Sequence, residues 1–378
     1  AYRVACIQDS RAGTLCFRGA LRRFFQGVVS YDSDIVVFVE RPAVSSAFTA
    51  SKLPPRWQGS APEVLDVFGA IPHKFSQYDV ILQPDTLAPQ WWAGAPSVVR
   101  DAKGVFWLAC RMRTAEAPRG LRGYEIRILR SEDGIHFEKV HGVLREEVPI
   151  PGFERPALLI DPHTGQFKLY GCGPWRGGTW AIIKFDDEDT PEQFNGATAR
   201  PVIRAPKKAY EHDAPPVAFK DPVIIHAMGK WHCYVIGIIR ETERIFHFTS
   251  DDGERWQPVG SPYEPVMQLQ DWHNFYVRPA SLLSLAVGWL FVYEGSSARW
   301  FDPVYNIATG LAFTFDLNHI IDLTPQSPLL TSTTPNECFH TWRYSHWMWV
   351  NNELWVYAEV TAPDETNEIR LYRLNREP

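Results

Sequence analysis

From Trp91 onward, short apolar runs alternate with polar turns, and one arrangement of them returns five times. Each copy has a proline, an apolar run of strand length, a turn that usually carries glycine, and a second apolar run rich in aromatics. The copies start at Pro96-Ser97-Val98-Val99, Pro156-Ala157-Leu158-Leu159, Pro222-Val223-Ile224-Ile225 and Pro279-Ala280-Ser281-Leu282. A degenerate fifth copy spans residues 344–357 and puts His346 in the proline slot. The steps between these positions are 60, 66, 57 and 67 residues. Four strands with their turns fill that length, so the unit reads as a propeller blade. The predicted fold class is all-β: a five-bladed β-propeller over residues 91–378, with an N-terminal extension over residues 1–90.

Outer strands show between the repeats. Glu125-Ile126-Arg127-Ile128-Leu129-Arg130 alternates with period two, as a half-buried antiparallel strand does. It runs into Ser131-Glu132-Asp133-Gly134, and the same device returns at Ser250-Asp251-Asp252-Gly253. Asp-Gly favours a hairpin turn because glycine accepts positive φ, so these segments read as architecture. The extension lacks the repeat. Residues 16–25 have a helix-like apolar spacing, residues 34–39 read as a strand, and the Pro- and Ser-rich residues 50–62 read as a loop. The last repeat is short, so a strand from the extension is expected to complete it and close the propeller. The extension also offers a contact for a homo-oligomer.

Charge and cysteine usage narrow the classes. With 38 Lys and Arg against 44 Asp and Glu, the net charge of −6 argues against nucleic acid or an acidic membrane surface as partner. No apolar run reaches the roughly 18 residues that a membrane span needs. The six cysteines form no CxxC pair, and Cys110, Cys172 and Cys233 fall in or just after the second runs, where small apolar residues are buried. Buried thiols point to a reducing compartment, the cytoplasm, with secretion left open. No HxxxH or HExxH spacing marks a metal site, and no cofactor motif is present. The 15 Trp, 14 Tyr and 22 Phe serve packing first and sugar stacking second.

In a propeller the first strand of each blade lines the central channel, so equivalent residues converge on one axis. Ala95, Arg155, Asp221, Arg278 and Ser345 precede the proline slot, and Gly94, Glu154, Lys220, Val277 and Tyr344 stand one residue earlier. Carboxylates and cations at the starts of apolar strands cost several kcal/mol each unless paired, so their grouping points to a site. Arg111, Glu294 and Glu359 end the second runs, with Arg113 and Asp364 nearby. His212, His273 and His346 flank or start repeats on segments expected to reach the channel mouth. Paired carboxylates suit glycoside cleavage, where one protonates the leaving oxygen and the other activates water or attacks the anomeric carbon.

Residues 91–373 resemble the five-bladed propeller glycosidases, the superfamily holding glycoside hydrolase families 43, 32, 117 and 130. Glu154-Arg155-Pro156 is similar to the Glu-Gly-Pro segment that carries the general acid in family 43, and Asp221-Pro222 to its Asp-Pro strand starts. The order differs, since that family places both aspartates before the glutamate, and Ala95 stands where its first aspartate is. Family 130 matches the order better. Its Glu-Asp-Pro-Arg segment falls on Glu154-Arg155-Pro156-Ala157 and its Lys-Asp-Ala segment on Lys220-Asp221-Pro222. Its Gly-Trp-Leu strand resembles Gly288 to Gly295, and its final strand and aspartate resemble residues 354–364. Its catalytic aspartate would fall on Arg155, and Glu294 replaces the phosphate-side histidine of the fourth blade.

The resemblance implies an enzyme, a glycoside hydrolase acting on an oligosaccharide or a glycan end. With the converging repeat positions it points to Glu154 as general acid and Asp221 as base or nucleophile, and the repeat positions add Glu294, with Asp364, as a substitute catalytic carboxylate. Arg111, Arg155, Lys220, His273, Arg278, His346 and Asp364 are the candidate substrate-binding residues. A family-130-like phosphorylase and a noncatalytic glycan-binding propeller are the alternatives.

Overall fold

The computed structural model describes residues 75–206, 215–332, 334 and 339–374, with the backbone of three further strands nearer the N-terminus. Among the described residues the chain is all-β, its helical content limited to 3-10 turns of three residues. It divides into two compact units, Ala1–Ala47 and Phe48–Pro378. In the first, β1 (Val4–Asp9) pairs antiparallel with β2 (Gly13–Arg18) and with β3 (Ile35–Val36). The helix-like spacing of residues 16–25 therefore begins in a strand. Cys16 pairs with Cys6 in register, and a hydrogen-bonded partner strand overrides a weak local periodicity. Residues 19–25 and the expected loop at 50–62 lie outside the described residues, as does His212.

The second unit starts with β4 (Asp79–Leu82) and continues as antiparallel meanders. The first repeat gives β5 (Trp92–Arg100), β6 (Phe106–Arg113), β7 (Gly123–Ser131) and β8 (Glu138–Leu144). The second gives β9 (Ala157–Ile160), β10 (Phe167–Pro174), β11 (Trp180–Lys184) and β12 (Arg200–Arg204). The third gives β13 (Phe219–Ala227), β14 (Lys230–Ile239), β15 (Thr242–Ser250) and β16 (Gln257–Pro258). The fourth gives β17 (Tyr276–Ser284), β18 (Trp289–Ser296), β19 (Ala308–Thr314) and β20 (Ile321–Asp322). The fifth has β21 (Trp342–Val350), β22 (Glu353–Thr361) and β23 (Asn367–Leu374), and its fourth strand is β4, lying antiparallel on β23.

No single sheet runs through all of these strands. The fifth and first repeats join through one parallel bridge, Asn367 to Trp92, and the third and fourth through Glu243 to Tyr276, while the second stands apart. Side chains hold neighbouring repeats together. Trp107, Ile126 and Ile128 of the first pack on Leu158, Leu169 and Ile183 of the second. Cys110, Cys172 and Cys233 are buried free thiols.

The Asp-Gly turns take part in the same packing. Ser131 Oγ accepts the Gly134 N–H and Ser250 Oγ the Gly253 N–H, both at 2.9 Å. The carbonyls so oriented receive tyrosines from a neighbouring repeat: Tyr357 donates to Gly134 O and Tyr170 to Gly253 O, each at 2.7 Å. A Cβ on Gly253 would meet the Tyr170 hydroxyl at 2.8 Å, and its φ of +74° already favours glycine. Tyr234 makes the equivalent bond to Leu317 O in a third turn, where Thr314 replaces the serine.

The first strands carry the feature that positions the site. Four of the five registers break near the start of the first strand: between Gly94 and Ser97, Lys220 and Val223, Pro279 and Ser281, and Arg343 and His346. Such β-bulges re-aim side chains. Ala95, Asp221 and Tyr344 hold the bulge with φ of 53°, 55° and 53°, a left-handed conformation uncommon for residues other than glycine. The pairing Gly94–Arg111 corresponds to Lys220–Ile236, Arg278–Glu294 and Arg343–Glu359. In the last two repeats the structural frame thus differs by one residue from the frame set by proline. Ser345, not His346, takes the place of Pro96, and Arg278 is equivalent to Gly94 rather than Ala95.

Candidate active site

Bulge N–H groups point away from their own ladders and need acceptors, which neighbouring repeats supply. Ala95 N–H donates to Glu359 Oε2 at 3.0 Å, Arg155 N–H to Asp221 Oδ1 at 3.2 Å, and Ser345 N–H to Glu294 Oε1 at 3.1 Å. Asp221 N–H reaches Cys172 Sγ at 3.2 Å. In the fourth repeat the equivalent residue is Pro279, which has no N–H to satisfy. The repeats are therefore tied by the same carboxylates that sequence places at the channel.

Cations pair with those carboxylates. Arg111 bridges Glu154 and Glu359, the latter at 3.0 Å, and Arg343 holds the other Glu359 oxygen at 2.7 Å. Asn367 donates to Glu359 Oε1 at 2.6 Å. Lys220 lies 2.8 Å from Glu243 and 3.7 Å from Asp221, and Arg278 pairs with Glu243 through Nε. Tyr344 O–H donates to Asp221 Oδ2 at 3.0 Å, and the guanidiniums of Arg343, Arg111 and Arg155 stand 5.1, 5.5 and 5.7 Å from its ring centre. Arg155 spends its guanidinium on the carbonyls of Pro279 and Ala280, at 3.1 and 2.5 Å. Most of the cluster is sealed, and solvent reaches it at Glu154 and Lys220, whose side chains are 10% and 14% exposed.

The carboxyls divide by environment. Burial pushes Glu154 up, but Arg111 and Arg113 outweigh it and hold the group below the ordinary range. Glu359 and Glu243 behave alike, burial being overcome by Arg343 and Arg111 for the first and by Arg278 and Lys220 for the second. Glu294 goes the other way. Its burial outweighs the pull of Arg155 and Arg278 and raises it to about 7, and its Oε2 has no hydrogen-bond partner. One carboxyl that is protonated near neutral pH among others that stay ionised is the arrangement acid–base chemistry uses.

Sequence-derived candidates are gathered unevenly. Glu154, Asp221, Glu294, Arg111, Arg155, Lys220 and Arg278 meet in this cluster. His346 lies further along the strands, where it lines a cavity of about 430 Å³ with Arg155, Ser97, His226, Trp231 and Trp347. Burial and Arg155 keep its imidazole below the ordinary range. His273 is fully buried inside the fourth repeat with Nε2 3.1 Å from Asp322, on the outer strand β20, so it does not reach the carboxylates. Asp364 is exposed and closes a turn by accepting Thr366 N–H and O–H at 3.1 and 2.6 Å. Glu243, Arg343 and Tyr344 are cluster members that the sequence reading assigned no role. Arg343 and Tyr344 become visible once Glu359 is aligned with Arg111, whereas nothing periodic marks Glu243. Among the described residues, no group of three His, Cys, Asp or Glu side chains is placed to hold a metal ion, and no helix is long and apolar enough to cross a membrane.

No protein-family model and no curated protein matches the sequence. Solved structures do match in fold. BT0996, solved as a complex with RGII, has a TM-score of 0.62 at 12% identity, over 79% of this protein and 91% of that one. A structure from the GH130 family of mannoside phosphorylases, described as containing glycoside hydrolases that target β-1,2 mannosidic linkages in Candida mannan, gives 0.58 at 15%, over 80% and 95%. A thermostable family-43 glycoside hydrolase gives 0.55 at 16%, over 78% and 94%. The protein has the fold of the propeller glycoside hydrolases.

Proposed function

We propose that this protein is a glycoside hydrolase with Glu294 as proton donor and Asp221 as the carboxylate that activates water or attacks the anomeric carbon. The observation that carries the reading is the environment of Glu294: buried, raised to about 7, and with a free Oε2, beside carboxylates that arginines keep ionised. The donor role expected for Glu154 passes to Glu294, because Arg111 and Arg113 hold Glu154 ionised and a general acid must carry its proton at working pH. Glu154, with solvent at one edge, is then a group that meets substrate hydroxyls, together with Lys220. Arg111 and Arg278 fix the carboxyls, and Arg155 ties the second repeat to the fourth.

The scaffold in this reading is a five-bladed propeller. It is supported by the contacts of the first strands, in which β5 meets β9, β9 meets β13, β13 meets β17, β17 meets β21 and β21 meets β5. Residues 1–90 form the extension, from which β4 completes the fifth blade. The test is sugar release from a panel of oligosaccharides, in buffer without phosphate and again with phosphate added, with Glu294→Gln beside the parent. Hydrolysis that falls at least about a hundredfold in the variant fits loss of a general acid. Product formed only as a sugar phosphate would make the protein a phosphorylase, and saccharide binding with no product a binding module.

A further inference from the structure

The charged cluster is not balanced, although the protein as a whole carries a net −6. Among the described residues its cations are Arg111, Arg113, Arg155, Lys220, Arg278 and Arg343, against the carboxyls of Glu154, Asp221, Glu243, Glu294 and Glu359. Arg113 is the clearest surplus. It is 3% exposed, no described carboxylate lies within ion-pair distance, and its Nε has no hydrogen-bond partner. Glu154 is its nearest opposing charge but lies beyond ion-pair distance and is already paired with Arg111, so the guanidinium is only partly compensated, and a ligand can supply the remaining charge.

The neighbourhood of Arg113 holds its guanidinium in a fixed orientation. Trp92 lies under its guanidinium at 3.9 Å and fixes its plane. Nη2 donates to the Tyr305 hydroxyl at 2.9 Å, and Arg119 Nε donates to the same oxygen at 3.0 Å. That phenol therefore aligns two guanidiniums at one point. Arg119 is largely exposed, and its partner Asp302 stands 3.3 Å away, a surface pair worth under about 1 kcal/mol. Such a pair readily exchanges its carboxylate for one carried by a ligand. Two aligned guanidinium forks recognise a carboxylate by parallel N–H bonds, which a lysine pair would not do.

We propose that the substrate of this site is an acidic glycan, whose reacting end carries a carboxylated sugar, with that carboxylate bound by Arg113 and Arg119 at Tyr305. This rests on the glycan-active reading above and adds the charge class of its substrate. The test compares glucuronate- and galacturonate-terminated oligosaccharides with the same compounds reduced to neutral sugars, by titration calorimetry and by initial rate. The acidic forms are expected to bind at least about tenfold more tightly at low salt, with the gap closing at high salt. Arg119→Ala, at an exposed position, and Arg113→Gln should each shrink the gap severalfold, the first remaining informative if the second does not fold. Equal handling of acidic and neutral sugars overturns the inference and leaves the hydrolase reading intact. Acidic sugars bound tightly but not cleaved retire the hydrolase and keep the inference. Inorganic phosphate displacing the uronate at lower concentration than the uronate itself also overturns it, since the anion would then not belong to the sugar.

Discussion

Glu294 takes the Ser345 backbone N–H on Oε1 at 3.1 Å while its Oε2 stays unpartnered, so one carboxyl both caps a bulge and keeps a free oxygen. Burial raises its pKa from 4.5 to about 7. The folded state thus binds a proton that the unfolded chain has released between these values. The associated stability is full below pH 4.5 and is lost as pH rises through 7, on the order of 3 kcal/mol. Glu294→Gln should remove that dependence, leaving urea midpoints at pH 5 and pH 8 closer together than in the parent. Activity should decline above about pH 7 in the parent, because the donor has lost its proton; a rate still rising beyond pH 8 would exclude Glu294 from that role.

Gly94 is the one uncharged member of its layer, and Glu359 explains why. A Cβ on Gly94 would sit 1.9 Å from Glu359 Oε2. The glycine yields its space to a carboxylate from the fifth repeat, which then accepts the Ala95 N–H and pairs with Arg111 and Arg343. Gly94→Ala should expel Glu359, leave those donors short of an acceptor, and cost about 2–4 kcal/mol in chemical unfolding. A variant as stable as the parent would mean that Glu359 has another rotamer available at no cost.

The same pair shows how far sequence reaches. The apolar runs marked the strands and the repeat, because burial between sheets demands them whatever the turn chemistry. Glu154, Asp221, Glu294 and Arg111 were also legible, as charges in otherwise apolar strand starts. The frame was not. In the first and third repeats proline takes the second bulge position, as Pro96 and Pro222. In the fourth it occupies the bulge itself, removing an N–H that would need an acceptor, and in the fifth Ser345 keeps its N–H for Glu294. Aligning on proline therefore moved Arg278 by one place and hid Arg343. Glu243 depends on a contact across strands β13, β15 and β17, which no local pattern encodes.

Arg111 joins carboxylates of two other repeats, Glu154 and Glu359, and is fully buried. Arg111→Met keeps much of the side-chain volume but strands two buried carboxylates. Removing one partner of a buried pair typically costs about 3–5 kcal/mol. The expected result is a drop in thermal midpoint together with a rise in the pKa of Glu154. The double change Arg111→Met with Glu359→Gln should recover part of the loss, since it also removes one orphaned charge. If the double variant is no more stable than the single, the pairing contributes little and the site is held by other contacts.

A second titrating element lies away from the carboxylates. His247 stacks on Tyr234 with ring centres 4.2 Å apart and meets His232 Nδ1 through Nε2 at 3.0 Å. Burial lowers its pKa from 6.5 to about 3, with the nearby His232 adding to the effect and Asp316 opposing it. Here the unfolded chain binds the extra proton. The stability is present above pH 6.5 and is lost as pH falls toward 3, the opposite limb from Glu294. His247→Phe retains the stack on Tyr234 and cannot be protonated, at the loss of one neutral hydrogen bond worth about 1 kcal/mol. The variant should be slightly less stable than the parent at pH 7 and closer to it, or above it, at pH 4. Thermal melts at the two pH values decide this, and an unchanged difference between parent and variant would place the acid sensitivity elsewhere.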